Sequence, residues 1–158
     1  LAALAASAME PLEQIARPLL QSLADRSDCT AMLLFESGGD IITSLCVTPN
    51  SPGMHGTTQP GFVHPQGRVA SRVVIEASRP ELPDDPEDVR EARRKGYASS
   101  TMSARGGRRY GIASPVGLNA LGQDGCLLLV TLDEVTDESA LAEMIVETAA
   151  ELTSHFGR

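Results

Sequence analysis

Thr131 and Asp133 stand two residues apart at the end of the most apolar run in the chain, Leu127-Leu128-Leu129-Val130. Period-two spacing puts both on one face of a strand. A polar group in so apolar a strand needs a partner. A bound small molecule is one candidate; the other is a local backbone bond for Thr131 and a surface turn for Asp133. Arg105, Arg108 and Arg109 cluster in a Gly-containing turn. One of them reaching inward would grip a carboxylate in two-pronged fashion; otherwise all three face water. Ser99-Ser100-Thr101 offers hydroxyls that both donate and accept, or forms a plain Ser/Thr edge strand. His55, His64 and Asp133 carry metal-ligating groups, but their spacing matches no metal motif. No metal site or cofactor is therefore expected, and each histidine is assigned a structural or capping role. Cys29, Cys46 and Cys126 are odd in number and widely spaced, which argues against a disulfide framework or zinc knuckle and fits a reducing cytoplasm. No nucleophile has a base and an orienting group in supporting context, so the chain is not expected to be an enzyme.

The remainder of the composition narrows the class. At 158 residues one domain with its own core is expected. The net charge of −8 opposes binding to phosphate backbones. Any link to DNA must run through another segment or a partner. Leu1–Ala8 is short and apolar, without the basic flank of a signal peptide or the length of a membrane span. It reads as the remnant of an interdomain linker helix, leaving 9–158 as the domain proper.

Helical spacing of Leu12, Ile15, Ala16, Leu19, Leu20 and Leu23 predicts a helix over Glu10–Asp25, bent at Pro18. Strands are expected at Thr30–Glu36 and Ile41–Thr48 around a Ser37–Asp40 turn, with a further edge strand possible at Met54–Thr58. A helix over Val63–Ala77 follows, with Pro65 in its first turn. Asp85-Pro86-Glu87-Asp88 starts a third helix, with Asp85 as its cap, ending at Lys95-Gly96. Tyr97–Ala104, Tyr110–Leu118 and Cys126–Leu132 read as strands, and Thr136 caps a last helix buried through Leu141, Met144, Ile145, Thr148, Leu152 and Phe156. The fold class is thus α+β: an antiparallel sheet of five to six strands flanked by helices.

Five short motifs occur in the order found in one known family. They are Ala16-Arg17-Pro18-Leu19-Leu20, His64-Pro65-Gln66-Gly67-Arg68, Arg94-Lys95-Gly96-Tyr97-Ala98, Ile112-Ala113-Ser114-Pro115-Val116, and Thr136 with the closing helix. From about Met9 onward the chain resembles the GAF-like effector-binding domain of the IclR transcription regulators. The resemblance implies a small-molecule effector, a small organic acid, and a homo-oligomer, dimer or tetramer, that reaches DNA only through a missing N-terminal domain. It implies that effector binding falls on Gly67 and Arg68, through free N–H groups at a helix start, unless Gly67 is only a helix-start glycine and Arg68 is solvated. Ser100 and Thr101 stand where the family has an acid, Gly111 where it often has a cysteine, and Arg109 where it tends to be apolar. Thr131 and Asp133 match its two polar residues on the last strand. Family members have a longer connection than the Ala77–Asp84 stretch here. Two other readings stay open: a dimerisation module with a vestigial pocket, or a small GAF-like enzyme.

Overall fold

The computed structural model describes residues 2–104 and 107–157, with side chains from Glu10 onward except that of Ala104; Arg105 lies outside the described residues. The first helix, α1, runs unbroken over Ala2–Ser27, across the boundary expected at residue 8. It buries Leu12, Ala16, Leu20, Leu23 and Ala24, one stripe of a 3.6-residue period. Helix α1 continues through Pro11 and Pro18, both of which are exposed, so the hydrogen bonds they remove lie on the water side.

Strands β1 (Thr30–Ser37) and β2 (Asp40–Val47) form a hairpin. A bulge after Leu33 shifts the register so that Leu34 faces Thr43. Strands β3 (Ala98–Ala104), β4 (Gly107–Leu118) and β5 (Gln123–Thr131) complete an antiparallel sheet in the order β2-β1-β5-β4-β3. The possible strand at Met54–Thr58 does not form. Instead the chain meets β2 at a single bridge between Ile42 and Val63, flanked by bonds from Thr43 N–H to Phe62 O at 2.9 Å and from His64 N–H to Ile41 O at 2.8 Å.

The sheet separates two apolar layers. Helices α1 and α4 (Glu138–Phe156) cover Ala31, Leu33, Ile112, Leu127 and Leu129. Helices α2 (Ala70–Ala77) and α3 (Glu87–Lys95) cover the alternate residues Met32, Leu34, Ala113, Cys126 and Leu128. Three helix starts differ from expectation. Asp137, not Thr136, caps α4 by accepting the Ala140 N–H at 3.0 Å. Asp85 does not cap α3; it accepts from Leu82 N–H at 2.9 Å and pairs with Arg93 at 3.0 Å. Arg93 also donates to Ala77 O at 3.2 Å, so the short connection between α2 and α3 is braced from both of its ends. The third case, α2, concerns the site.

Candidate functional site

Helix α2 begins at Ala70, seven residues after Val63. The segment before it is held extended because Phe62 O accepts from Thr43 N–H and His64 N–H donates to Ile41 O, both on β2, and because Gly67, at φ +136°, is outside helical geometry. Val69 occupies the cap position and supplies no side-chain acceptor. The first helical N–H, of Ala70, is met from across the fold by Ser100 Oγ at 3.1 Å.

Between this helix start and the sheet lies a cavity of about 530 Å³. That volume suits a small molecule. Met32, Gly111, Leu128 and Val130 form its floor, while Val69, Ala70 and Ser71 roof it together with the 56–65 loop. Ser71 is only 3% exposed and its hydroxyl has no partner among the described residues. No aspartate or glutamate lines the cavity, although the chain holds 21 of them. Arg109 stands at the mouth, exposed and without an ion pair among the described residues. At the opposite wall His64 Nε2 lies 2.8 Å from Thr43 Oγ1, which lies 2.9 Å from Thr58 Oγ1. Burial lowers the His64 pKa and favours the neutral ring.

Of the residues singled out from sequence, Ser100, Arg109 and Gly111 come together here. The others do not join them. Gly67 and Arg68 precede the helix instead of starting it, and the Arg68 guanidinium is turned outward onto Glu76 at 3.0 Å and Asp88 at 2.6 Å. Those carboxylates raise its pKa still further, Asp88 first. Thr101 is one residue out of phase with Ser100 and lines a polar cleft with Arg108, Tyr110 and Glu138. Thr131 is likewise one residue beyond Val130, so alternation sends it to the α4 side of the sheet. Its Oγ1 accepts the Asp133 N–H at 3.1 Å, a local turn, and Asp133 is exposed. Phe62 lines the cavity, whereas Met54 is 85% exposed and outside it. Ser71 and the His64, Thr43 and Thr58 chain went unread in the sequence; the one available signal was Thr43 alternating with Ile41 and Leu45.

Several solved structures share this architecture. A protein of Silicibacter sp. assigned as an IclR transcriptional regulator superposes with a TM-score of 0.77 at 17% identity, over 99% of this chain and 70% of that one. The IclR transcriptional regulator of Alicyclobacillus acidocaldarius gives 0.75 at 20% identity, over 98% and 72%. The C-terminal domain of a Vibrio cholerae protein assigned as a transcriptional regulator gives 0.70 at 18% identity, over 87% of this chain and 93% of that domain. The fold is that of the C-terminal domain of IclR regulators. No family model and no curated protein matches the sequence itself. Among the described residues no helix is long and apolar enough to cross a membrane, and no group of three His, Cys, Asp or Glu side chains is placed to hold a metal ion.

Proposed function

We propose that this chain is the effector-sensing domain of an IclR-type transcription regulator and that its effector is a small organic acid. The observation that carries this is the cavity: apolar walls, no carboxylate in its lining, and one cation, Arg109, at its mouth. An arginine in that position attracts and orients a carboxylate, and the absence of lining acids removes repulsion in a chain of net charge −8. The similarity of fold to IclR regulators supports the regulatory role. On this reading the domain self-associates and acts on DNA through a separate DNA-binding domain, since its own charge opposes DNA.

A thermal-shift screen of straight-chain and aromatic monocarboxylates against their uncharged primary amides tests the reading. Ligands that bind only the folded state raise the melting temperature. The acids are expected to do so, the amides are not, and Arg109→Ala is expected to abolish the difference. If no acid stabilises the protein, the cavity is vestigial and the domain is a dimerisation module.

A further inference from the structure

The two edges of the sheet differ. The β2 edge is closed where Phe62 and His64 bond to its backbone. The β3 edge has no backbone bond beyond those to β4 among the described residues. Ser99, Thr101, Met102 and Ser103 along it are exposed. A bare edge pairs with another chain unless charges, proline or a bulge blunt it. Strand β3, Ala-Ser-Ser-Thr-Met-Ser-Ala, has no charge and no proline, and it runs in unbroken register with β4.

Those seven residues read almost the same in both directions about Thr101. Two β3 strands paired antiparallel on a two-fold axis at Thr101 set it against its own copy, Ser99 against Ser103, and Ser100 against Met102. Opposed residues share a face of the sheet, and Ser and Thr hydroxyls pair well across strands. One face thus carries a ladder of Ser99, Thr101 and Ser103. On the other, Met102 of the second copy comes beside Ser100, so each cavity gains an apolar residue from its neighbour and an exposed methionine is covered.

The flanking charges fit the same register. Arg108 sits on β4 beside Ser103, exposed and without an ion pair among the described residues. Glu138 receives the Tyr110 hydroxyl and lies against Ser99. Because Ser103 of one copy meets Ser99 of the other, Arg108 comes within two strand spacings, about 9–10 Å of backbone, of the strand that Glu138 overlies. An arginine and a glutamate side chain together bridge that gap, and the two-fold axis makes the contact twice.

We propose that two copies of this chain pair antiparallel through β3 about Thr101, joining their sheets into one and exchanging Arg108–Glu138 ion pairs. This rests on the self-association put forward above and assigns it a surface.

Disulfide trapping tests the register. Opposed residues of an antiparallel pair have Cα atoms about 4.5–5.5 Å apart, within reach of a disulfide. Thr101→Cys is expected to give a covalent dimer on mild oxidation. Ser103→Cys is not, since its two copies stand about 14 Å apart in this register. The unaltered protein gives the background from Cys29, Cys46 and Cys126. Sedimentation equilibrium tests the ion pairs. Arg108→Glu and Glu138→Arg are each expected to weaken the dimer by about tenfold, and the double exchange to recover most of the loss. Arg108 is exposed, so Arg108→Glu stands as a test even if Glu138→Arg misfolds. If the parent dimerises but Thr101→Cys does not trap it, or traps it no better than Ser103→Cys, the β3 pairing is overturned and self-association passes to another surface. Equal dissociation constants for the parent and Arg108→Glu overturn it as well. A parent that stays monomeric at tens of micromolar overturns both the pairing and self-association, and leaves the reading of the cavity untouched.

Discussion

Ser100 Oγ, on the edge strand β3, accepts the N–H of Ala70, the first residue of α2, at 3.1 Å. A helix usually supplies its own cap from the residue just before it, and here that residue is Val69, which has no acceptor. The missing cap is borrowed from a strand thirty positions away. The bond therefore ties the roof of the cavity to the outer edge of the sheet. Ser100→Ala is expected to destabilise the fold by about 1 kcal/mol, read as a lower midpoint in urea with an unchanged m-value. Ser100→Thr, which keeps the hydroxyl, is expected to recover most of the loss. Equal midpoints for Ser100→Ala and the parent would show that the helix start is solvated instead.

His64 gives the fold a pH dependence whose sign can be worked out. Burial lowers its pKa in the folded state below the ordinary value of 6.5. Between the two values the unfolded chain holds a proton that the folded one lacks, so stability rises with pH through that window. It is lost as pH falls from about 6.5 and levels off once the folded ring is also protonated. His64→Gln is expected to flatten this part of the stability profile while leaving the acid limb from the carboxylates in place. A parent profile already flat from neutrality down to the carboxylate range would contradict the buried, neutral imidazole.

The core was easier to read from sequence than the site, and the reason is geometric. Leu12, Ala16, Leu20 and Leu23 repeat over three turns and identify α1 whatever they pack against. A strand assigns its side chains by odd and even position, so the cavity's membership turns on single residues. Val130 faces it and Thr131 does not; Ser100 faces it and Thr101 does not. Arg109 and Gly111 were legible because a cation and a missing side chain keep their meaning wherever they fall in the strand. The start of α2 was misplaced because Pro65 suits a first helical turn, whereas bonds to β2 and the positive φ of Gly67 hold the segment before Ala70 extended. His64, Thr43 and Thr58 form a unit only after the chain has folded back on itself, and no local pattern announces such a contact.

Tyr110 links the polar cleft beside β4 to the start of α4. Its hydroxyl donates to Glu138 at 2.5 Å. The hydroxyls of Ser99 and Tyr110 hold the Glu138 carboxyl below its ordinary value of 4.5, while burial and the neighbouring carboxylate push the phenol well above its usual range. An acid with a depressed pKa adds stability above its unfolded pKa, and that part is lost as pH falls through the folded value. Tyr110→Phe is expected to cost about 1 kcal/mol at neutral pH, a figure reduced for the partial exposure of Glu138. It is also expected to make the acid limb below about pH 4.5 shallower. Chemical denaturation of both proteins across that range checks both statements, and parallel profiles would remove Tyr110 from the account.

Gly111 sits in β4 opposite Ser100 on one side and Val130 on the other, in the floor of the cavity. A Cβ there would meet Leu128 Cδ1 at 3.4 Å and the carbonyl oxygens of Leu129 and Ser100 at 3.9 Å, which is ordinary contact. Its φ is not positive, so nothing in the backbone demands glycine. The residue instead leaves room on the cavity side. Gly111→Ala is expected to match the parent in stability or exceed it by up to about 1 kcal/mol, because the unfolded chain loses freedom. Gly111→Val suits a strand and fills more of the floor. Its expected signature is unchanged stability with affinity for the best-binding monocarboxylate reduced by roughly tenfold, about the 1.4 kcal/mol that one overfilled contact can cost. Gly125 supplies the control on the same sheet. There a Cβ would lie 2.5 Å from Leu118 Cδ1 and 2.9 Å from Leu34 O, so Gly125→Val should fail in stability. If Gly111→Val binds the acid as tightly as the parent does, the acid does not lie over this floor, and the assignment of the cavity as the effector site fails with it.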